Sequence, residues 1–345
     1  MKKFLINSLL ATPLFITIAY INYSQDVYHI FSPDPQLKEV AEWMLSGSNV
    51  SYTRSYDRVS LVNEFIQRSE EKSDWIILGS SKSMTANKDI IGRTSFFNSW
   101  IKQARLKDYL AIVYSLDQEN LLPDTLILEF SPHLFNIHQK AARHHENYDS
   151  YFAMADILDL PKLYPNRWNR FSMKTSQLFS GRNFLDALFR KPGKNFQQTD
   201  QTSLPNHRII QSDGSEPGKE YYKSQPKRRK ELILDEEVDN QHLYHEMDPT
   251  LIKHFEGLVA FLQSKNVSLI FYIPPYHPET FNITINQNPV FAEYTKYYQA
   301  FSTKMKVPVF GGLDPHPLKL TDNDFIDATH TEPSGFRKIW LSRSH

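Results

Sequence analysis

Residues 75–83 read Trp-Ile-Ile-Leu-Gly-Ser-Ser-Lys-Ser, an apolar run that stops at a glycine and two serines. A short apolar run bounded by small residues is typical of a strand that is buried on both faces of a sheet. The residues beyond it predict a turn into a helix, which would expose Ser81 at the carboxyl edge of that sheet. Backbone N–H groups at the start of such a helix can bind an oxyanion. The competing interpretation is that Ser80 or Ser81 only caps the helix.

The rest of the chain alternates between short apolar segments and stretches with helical periodicity, on both sides of a less regular middle. The predicted strands are 74–78, 95–98, 124–130, 267–273 and 307–310, and the accompanying helices are 102–117, 251–264, 291–305 and 333–340. Apolar strands that alternate with helices predict an α/β fold, in which helices cover both faces of a mainly parallel sheet and make three layers.

A second motif, Asp-Ala-Thr-His at 327–330, lies between the last predicted strand and the last predicted helix. With this spacing the carboxylate can hold one imidazole nitrogen while the other nitrogen faces a serine. The same spacing occurs at 26–29 and at 239–242. The position of 327–330 in the predicted fold, and not the spacing, therefore carries the inference.

Together the two motifs supply the residue types of a catalytic triad. Ser81 is the candidate nucleophile, Asp327 the orienting carboxylate and His330 the base, in the chain order Ser…Asp…His. This combination predicts acyl-transfer chemistry.

The composition of the 345-residue chain excludes several other classes of protein. There is no cysteine, which rules out disulfides, thiol nucleophiles and thiolate metal sites. Basic and acidic residues both number 39, so nothing in the overall charge favours nucleic-acid binding. Histidines near positions 144 and 242 lack the His-Glu-x-x-His spacing of a helical zinc site. We therefore predict neither a metal nor a cofactor.

The N-terminus predicts a membrane anchor. An uncharged, mostly apolar run at 4–23 follows Lys2 and Lys3. About twenty helical residues can cross a bilayer core, and the two lysines favour a cytoplasmic N-terminus. A cleaved signal peptide is the alternative. In either case the remainder of the chain is expected outside the cytoplasmic membrane, in the periplasm or the extracellular space.

Four regions follow from these patterns. The anchor at 1–23 leads into a stalk at 24–73, with short helices at 37–45 and 60–66, and the α/β domain spans 74–345. An insertion at about 137–248 interrupts the domain, with aromatic-rich helices at 148–160 and 168–189 followed by a polar stretch. The insertion is predicted to cap or flank the sheet.

The two motifs resemble those of the SGNH (GDSL-like) hydrolase superfamily, whose domain is flavodoxin-like. The closest similarity is to its membrane-anchored, envelope-associated branch, which includes teichoic acid D-alanyl-transfer proteins and alginate O-acetylation proteins. In that branch Gly-Ser-Ser often follows the first strand, as at 79–81, and Asp-x-x-His lies near the C-terminus, as at 327–330. The resemblance covers about 74–136 and 251–340, and it implies that Ser81, Asp327 and His330 are catalytic.

The middle motifs of the superfamily are altered in this chain. The second motif has its asparagine, Asn98, but Gln103 stands at the usual glycine position. The usual asparagine after the third strand is replaced by His133. In the family both positions donate hydrogen bonds to the oxyanion. The resemblance therefore implies an unusual oxyanion hole built from the backbone of Ser81 together with Gln103 and His133.

The resemblance also implies a substrate and a partner. Ser81 would attack an acetyl or similarly small acyl ester on a cell-envelope polysaccharide or lipid-linked glycan. A multi-pass membrane O-acyltransferase would supply the acyl group. Two alternatives stay open: a non-catalytic envelope assembly or glycan-binding protein that kept the fold, and a lipase or esterase whose acyl channel the aromatic insertion would form.

Overall fold

The computed structural model describes residues 2–26, 29, 31–32, 34–137, 147–163, 175–189, 195–204, 207–217 and 244–342, with side chains from residue 12 onward. Most of the polar part of the insertion, and the motif at 239–242, lie outside the described residues. The chain divides into two compact units. One consists of residues 1–37 and 162–195, and the other of residues 38–161 and 196–345.

Helices and strands alternate along the described chain. The helices are α1 (Lys2–Gln25), α2 (Gln36–Leu45), α3 (Arg58–Arg68), α4 (Lys88–Ile91), α5 (Leu106–Gln118), α6 (Tyr148–Ile157), α7 (Gly181–Phe189), α8 (Pro249–Ser264), α9 (Pro289–Met305) and α10 (Pro333–Leu341). The strands are β1 (Asn49–Tyr52), β2 (Trp75–Leu78), β3 (Phe96–Asn98), β4 (Thr125–Glu129), β5 (Phe196–Thr199), β6 (Arg208–Ile210), β7 (Ser268–Ile273) and β8 (Val309–Gly311).

The larger sheet has five strands in the order β3-β2-β4-β7-β8, and every pair is parallel. The prediction of an α/β fold with a parallel sheet is confirmed. All five predicted strands are present, and their ends lie within two residues of the predicted ends. Their largely apolar sequences suit strands that are covered on both faces.

The strand order creates a crevice at the carboxyl edge of this sheet. The chain runs from β2 outward to β3 and then returns across β2 to β4. The connections that leave β2 and β4 therefore diverge, and open α/β sheets bind their ligands at such a switch point. Ser81 follows β2 and His133 follows β4, so both belong to this edge.

Helices pack on both faces of the sheet. Alternate strand residues such as Ile77, Ile127 and Tyr272 join a cluster with Phe336 and Ile339 of α10. On the opposite face, Phe271 contacts the rings of three further aromatic residues: Phe130, Phe255 and Phe301. Complete burial of one such ring stabilises the fold by about 1.5–3 kcal/mol, so these two clusters account for much of the core.

A second, antiparallel sheet was not predicted from the sequence. Its order is β5-β1-β6, so the residues 49–52 that were assigned to the stalk pair with two segments of the assigned insertion. Its three strands have only three or four residues each, which is too short for a period of two to stand out. Residues 38–73 and 196–217 thus belong to the unit that carries the larger sheet.

The N-terminal helix α1 includes residues 4–23. Among the residues that the structure describes, no helix combines the length and the apolar character needed to cross a bilayer. The membrane anchor therefore stays a prediction, and so does the location of the chain outside the cytoplasmic membrane.

A buried ion pair at the start of α5 gives a first testable consequence. The Nζ atom of Lys107 lies 2.7 Å from Oδ1 of Asp108, and both side chains are fully buried. Asp108 also accepts a hydrogen bond from the backbone N–H of Arg105. Lys107→Met should lower the free energy of unfolding by about 3–5 kcal/mol, since it leaves a buried carboxylate without its cation. Urea denaturation of the purified chain measures this change.

Two further variants test the explanation. The double substitution Lys107→Met with Asp108→Asn should recover part of the loss, because no buried charge is left. The exposed pair of Lys72 and Asp124 is a matched control. Lys72→Met should change the free energy of unfolding by less than about 1 kcal/mol. Equal effects of the two lysine substitutions would contradict the assignment of a buried ion pair.

Candidate active site

Ser81 lies at the first turn after β2. It opens a three-residue 3₁₀ turn, Ser81–Ser83, and the helix predicted at this point is absent. The amide of Asn98 donates to the carbonyls of Ser83 and Ala86 at 2.8 Å each, and the Ser83 carbonyl also accepts the backbone N–H of Ala86 at 3.0 Å. Those carbonyls would accept backbone bonds if an α-helix continued. The chain becomes helical again only at α4.

The two serines of the motif have different partners. Ser80 is the N-cap of the turn, and its Oγ accepts a hydrogen bond from the backbone N–H of Lys82. The Oγ of Ser81 instead lies 2.8 Å from Nε2 of His330. The capping function is therefore performed by Ser80, which leaves the Ser81 hydroxyl directed at the imidazole.

The imidazole of His330 joins Ser81 to Asp327. Its Nδ1 atom lies 2.8 Å from Oδ1 and 2.9 Å from Oδ2 of Asp327. A carboxylate only accepts, so the neutral ring carries its proton on Nδ1 and accepts the Ser81 hydroxyl proton at Nε2. The structure thus brings together the three residues that the sequence singled out, with the tautomer that a general base requires.

A tight loop fixes the geometry of this Asp-x-x-His motif. The Oδ1 atom of Asp327 accepts hydrogen bonds from the backbone N–H groups of Thr329 and His330, each at 3.0 Å. The backbone N–H of Ile326 donates to the carbonyl of His330 at 2.7 Å. The carboxylate therefore holds both the loop backbone and the ring, so the imidazole has little freedom to turn away from Ser81.

The motif at 26–29 has the same spacing and a different arrangement. The Oδ2 atom of Asp26 accepts backbone hydrogen bonds from Phe31 and Ser32, and His29 pairs with Asp34. Of these two motifs, the structure brings only 327–330 together with Ser81.

The pKa of Asp327 lies below its ordinary value. Burial by itself raises the pKa of this carboxyl, but the charge of His330 and the hydrogen bonds from His330 and Thr329 outweigh burial and lower it. The carboxylate is therefore ionised throughout the neutral range, where it can stabilise the imidazolium that forms when Ser81 loses its proton.

This lowered pKa predicts how stability depends on pH. A carboxyl whose pKa is lower in the folded state stabilises the fold above its unfolded pKa of about 3.9, and this contribution disappears as the pH falls through the folded pKa. The contribution of the Asp327 carboxylate to the difference in free energy of unfolding between the wild type and Asp327→Asn should therefore shrink as the pH falls below about 3.9. Urea titrations from pH 7 down to about pH 3 measure it. A difference that does not decrease below about pH 4 would contradict the prediction.

A buried carboxylate that was not predicted from the sequence holds the N-cap residue of the turn Ser81–Ser83. Glu129, the last residue of β4, accepts hydrogen bonds from the backbone N–H of Ser80 at 2.7 Å and from its hydroxyl at 2.8 Å. It also accepts from the Ser131 hydroxyl at 2.6 Å. One feature of the sequence could have identified Glu129. It is a charged residue within the apolar run 126–130, at the edge of the sheet where the site lies.

Gly79 makes room for this contact. A Cβ atom at position 79 would lie 2.6 Å from Oε2 of Glu129 and 2.5 Å from Oγ of Ser83. The glycine of the motif is thus required by the close approach of the carboxylate to the chain.

Substitutions of Glu129 should show whether its hydrogen bonds to Ser80, rather than its packing volume, hold the turn that carries Ser81. Glu129→Leu leaves the backbone N–H of Ser80 buried without an acceptor, which should cost about 1–3 kcal/mol of folding free energy. It should also slow the reaction of Ser81 with a fluorophosphonate, because Ser81 is the next residue. Glu129→Gln is the matched control. Its oxygen can accept from the N–H while the two hydroxyls rotate to accept from its amide, so both effects should be smaller.

The predicted oxyanion donors have different surroundings. Gln103 is exposed and has a φ of 54°, a left-handed conformation that glycine adopts at little cost. This explains why a glycine suits the position. The ring of His133 is buried, and its Nε2 atom lies 3.2 Å from the carbonyl oxygen of Ala104. Because a carbonyl only accepts, Nε2 carries the proton, and Nδ1 of the neutral ring has none to donate.

The loop after β7 contributes further side chains beside the nucleophile. The backbone N–H of His277 donates to the carbonyl of Ala328, within the Asp-x-x-His motif. The ring of Tyr276 lies 5.0 Å from the Nζ atom of Lys82, which follows Ser81 in the chain. The Nε2 atom of the His277 ring lies 2.9 Å from Oδ1 of Asp322. These contacts join the nucleophile turn, the β7 loop and the Asp–His loop.

Among the described residues, no group of histidine and acidic side chains could hold a metal ion. Compared with known protein families, the chain matches no family model. It also matches no curated protein.

Proposed function

We propose that the protein is a serine-dependent acyl-transfer enzyme with a three-layer fold of the SGNH type. The observation that carries the proposal is the continuous chain of hydrogen bonds from Ser81 through His330 to Asp327, at the switch point of a parallel sheet. A serine hydroxyl, a correctly protonated imidazole and an ionised carboxylate are the parts of an activated nucleophile.

In the first half of the proposed reaction, Oγ of Ser81 attacks the carbonyl carbon of an ester. Its proton passes to Nε2 of His330, and Asp327 stabilises the imidazolium. When the tetrahedral intermediate collapses, the alkoxide leaving group takes that proton from His330 and departs as an alcohol. The acyl group then remains on Ser81 as an ester.

In the second half, an acceptor hydroxyl gives its proton to His330 and attacks the acyl-serine. Collapse returns the proton from His330 to Ser81 and transfers the acyl group to the acceptor. A sugar hydroxyl as acceptor makes the enzyme a transferase, and water makes it an esterase. Exclusion of water from the site decides between these outcomes.

The oxyanion would be held by backbone N–H groups near the serine turn. The backbone of Ser81 and Gln103 are the proposed donors. His133 is a weaker candidate in its neutral form, since its ring proton is already directed at Ala104. Each effective donor can contribute about 2.7–4 kcal/mol to stabilisation of the transition state.

The proposed substrate is a small acyl ester, such as acetyl, on a cell-envelope polysaccharide or lipid-linked glycan. Support comes from the sequence resemblance and from the predicted anchor at 4–23, which would keep the chain at the membrane. A multi-pass membrane O-acyltransferase is the proposed source of the acyl group.

A non-catalytic glycan-binding protein is the second candidate. The specific observation in its favour is that the side chains of Asn98 and His133 are engaged with backbone carbonyls. Of these two residues, His133 stands at a position that donates to the oxyanion in the superfamily pattern, and Asn98 is the retained asparagine of the second motif.

A fluorophosphonate probe tests the proposal on the full chain in detergent, with the modified residue located by mass spectrometry. We expect one adduct, on Ser81. The acyl-serine itself should then be trapped by rapid acid quenching after mixing with an activated acetyl ester. Well-folded protein that forms neither adduct would favour the binding protein.

A further inference from the structure

Helix α7 exposes its apolar side. The exposed residues are 181, 182, 185, 188 and 189, which form one stripe along the helix. Within this stripe Leu185 is 54% exposed, Leu188 is 52% exposed and Phe189 is 77% exposed. The helices of a water-soluble unit normally direct their apolar stripe at the core and their polar stripe at water. The arrangement in α7 is therefore inverted.

The C-terminal half of α1 packs against α7 within the same compact unit and is also apolar and exposed. The buried amide of Asn22 donates to the carbonyls of Leu178 at 2.7 Å and Ser180 at 3.0 Å, just before α7. The rings of Phe15 and Phe179 meet edge to face at 6.3 Å. These contacts fix the start of α7 against the N-terminal helix.

Several large side chains of this unit face outward together. On α1 they are Leu14, Phe15, Ile16, Tyr20 and Tyr23, each at least half exposed. Of these, Ile16, Tyr20 and Tyr23 share one stripe of α1. We term this stripe, together with Phe179, Leu185, Leu188 and Phe189, the α1/α7 face. Single exposed apolar residues are ordinary, but a group of this size marks an interaction surface.

The sequence around α7 has a strong positive charge. Residues 162–195 contain eight lysines and arginines and a single acidic residue, Asp186, whereas the whole chain has no net charge. Arg182 lies on the exposed stripe of α7 itself. Apolar side chains that project from a helix between basic flanks are the combination that binds to anionic lipid surfaces.

We propose that the α1/α7 face binds the surface of a bilayer that contains anionic phospholipids. In this arrangement α7 lies in the plane of the interface with Leu185, Leu188 and Phe189 at the boundary of the acyl chains. Arg182, on the same exposed stripe, meets the lipid phosphates. Helix α7 is thus a membrane contact additional to the anchor predicted at 4–23, and this contact depends on lipid charge.

The absence of cysteine allows a direct test, because a single introduced cysteine is the only thiol in the chain. Full-length Leu188→Cys and Leu185→Cys are labelled with an environment-sensitive fluorophore and mixed with phosphatidylcholine vesicles, with or without phosphatidylglycerol. Lipids that carry a spin-label quencher on the acyl chain report depth. Ile16→Cys on α1 and the exposed Asp89→Cys on α4 serve as reference positions.

We expect the emission at positions 185 and 188 to shift to shorter wavelength and to be quenched by the acyl-chain label, while position 89 stays unchanged. Without phosphatidylglycerol the quenching at 185 and 188 should weaken, since each basic residue near an anionic surface changes binding roughly fivefold. A similar loss is expected on raising the salt concentration.

Three outcomes would overturn the proposal. Quenching at position 16 without quenching at 185 and 188 would mean that only α1 enters the lipid. Quenching that is equal in neutral and anionic vesicles would remove the role of charge. A spectral shift at 188 without lipid quenching, together with thiol cross-linking between copies, would assign the face to a second copy of the chain. Two reporter positions guard against a local effect of one label.

Discussion

Ser81→Ala is expected to lower ester turnover by about 10⁶-fold, the loss found when the nucleophile of a comparable triad is removed. The reason is geometric, since the Ser81 hydroxyl is the group that His330 can deprotonate at 2.8 Å. Neighbouring Ser80 cannot replace it, because its hydroxyl is bonded to Glu129. Hydrolysis of an activated acetyl ester, followed spectrophotometrically, measures the effect.

His330→Ala should give a loss of similar size, and the double variant should be no worse than either single variant. Groups that act as one unit are strongly non-additive. The pair of Asp314 and His316 supplies a matched control. It has an Nδ1 to Oδ1 distance of 2.7 Å, like the pair in the site, but both side chains are exposed. His316→Ala should keep the wild-type rate.

Two results would contradict the prediction that Ser81 and His330 act as one unit. A His330→Ala variant within about tenfold of the wild-type rate would mean that another group acts as the base. Additive losses in the double variant would mean that Ser81 and His330 act separately. In both cases the adduct of the fluorophosphonate probe would still show whether Ser81 is reactive at all.

Asp327→Asn is expected to lower kcat by about 10⁴-fold, the second-largest effect that we predict. The asparagine oxygen can still accept from the N–H groups of Thr329 and His330, so the loop should keep its shape. Its amide, however, is a donor, and it would favour the His330 tautomer with the proton on Nε2. That nitrogen would then donate to Ser81 and could not accept its proton.

This explanation can be separated from simple unfolding. The Asp327→Asn variant should keep a cooperative denaturation curve at neutral pH while its turnover falls. Its KM should change little, because both carboxylate oxygens of Asp327 are directed at His330. A variant that is active within about tenfold of the wild type would refute the tautomer argument. A variant that loses both activity and cooperative unfolding would show that the carboxylate is needed for the loop instead.

The strands of the larger sheet and the helices between them could be predicted from the sequence, because each is marked by a regular hydrophobic pattern. Each of its strands is an apolar segment bounded by breakers, and the helices between them have a clear period. Once the strands are parallel, their carboxyl ends share one edge, which brings Ser81 towards His330 without any knowledge of contacts. Chain order and position in the fold were therefore sufficient to choose these residues.

Other features depend on tertiary contacts that leave little trace in the local sequence. The turn after Ser81 is held by Asn98 of the next strand, whose amide donates to the carbonyls of Ser83 and Ala86. The role of Glu129 depends on a close approach to Gly79. The direction of the His133 ring is set by Ala104, and β1 finds its partners roughly 150 residues later in the chain. None of these follows from hydrophobic periodicity.

The separation of Ser81 and His330 along the chain sets the time at which the site can first react. His330 follows Ser81 by 249 residues. At 5–20 residues per second, a ribosome needs about 12–50 s to add that length. During this interval the serine has the low nucleophilicity of an ordinary alcohol, because no imidazole is near it. In the proposed mechanism the growing chain is therefore inactive, and Ser81 becomes reactive only when the part of the domain around His330 has been synthesised and folded.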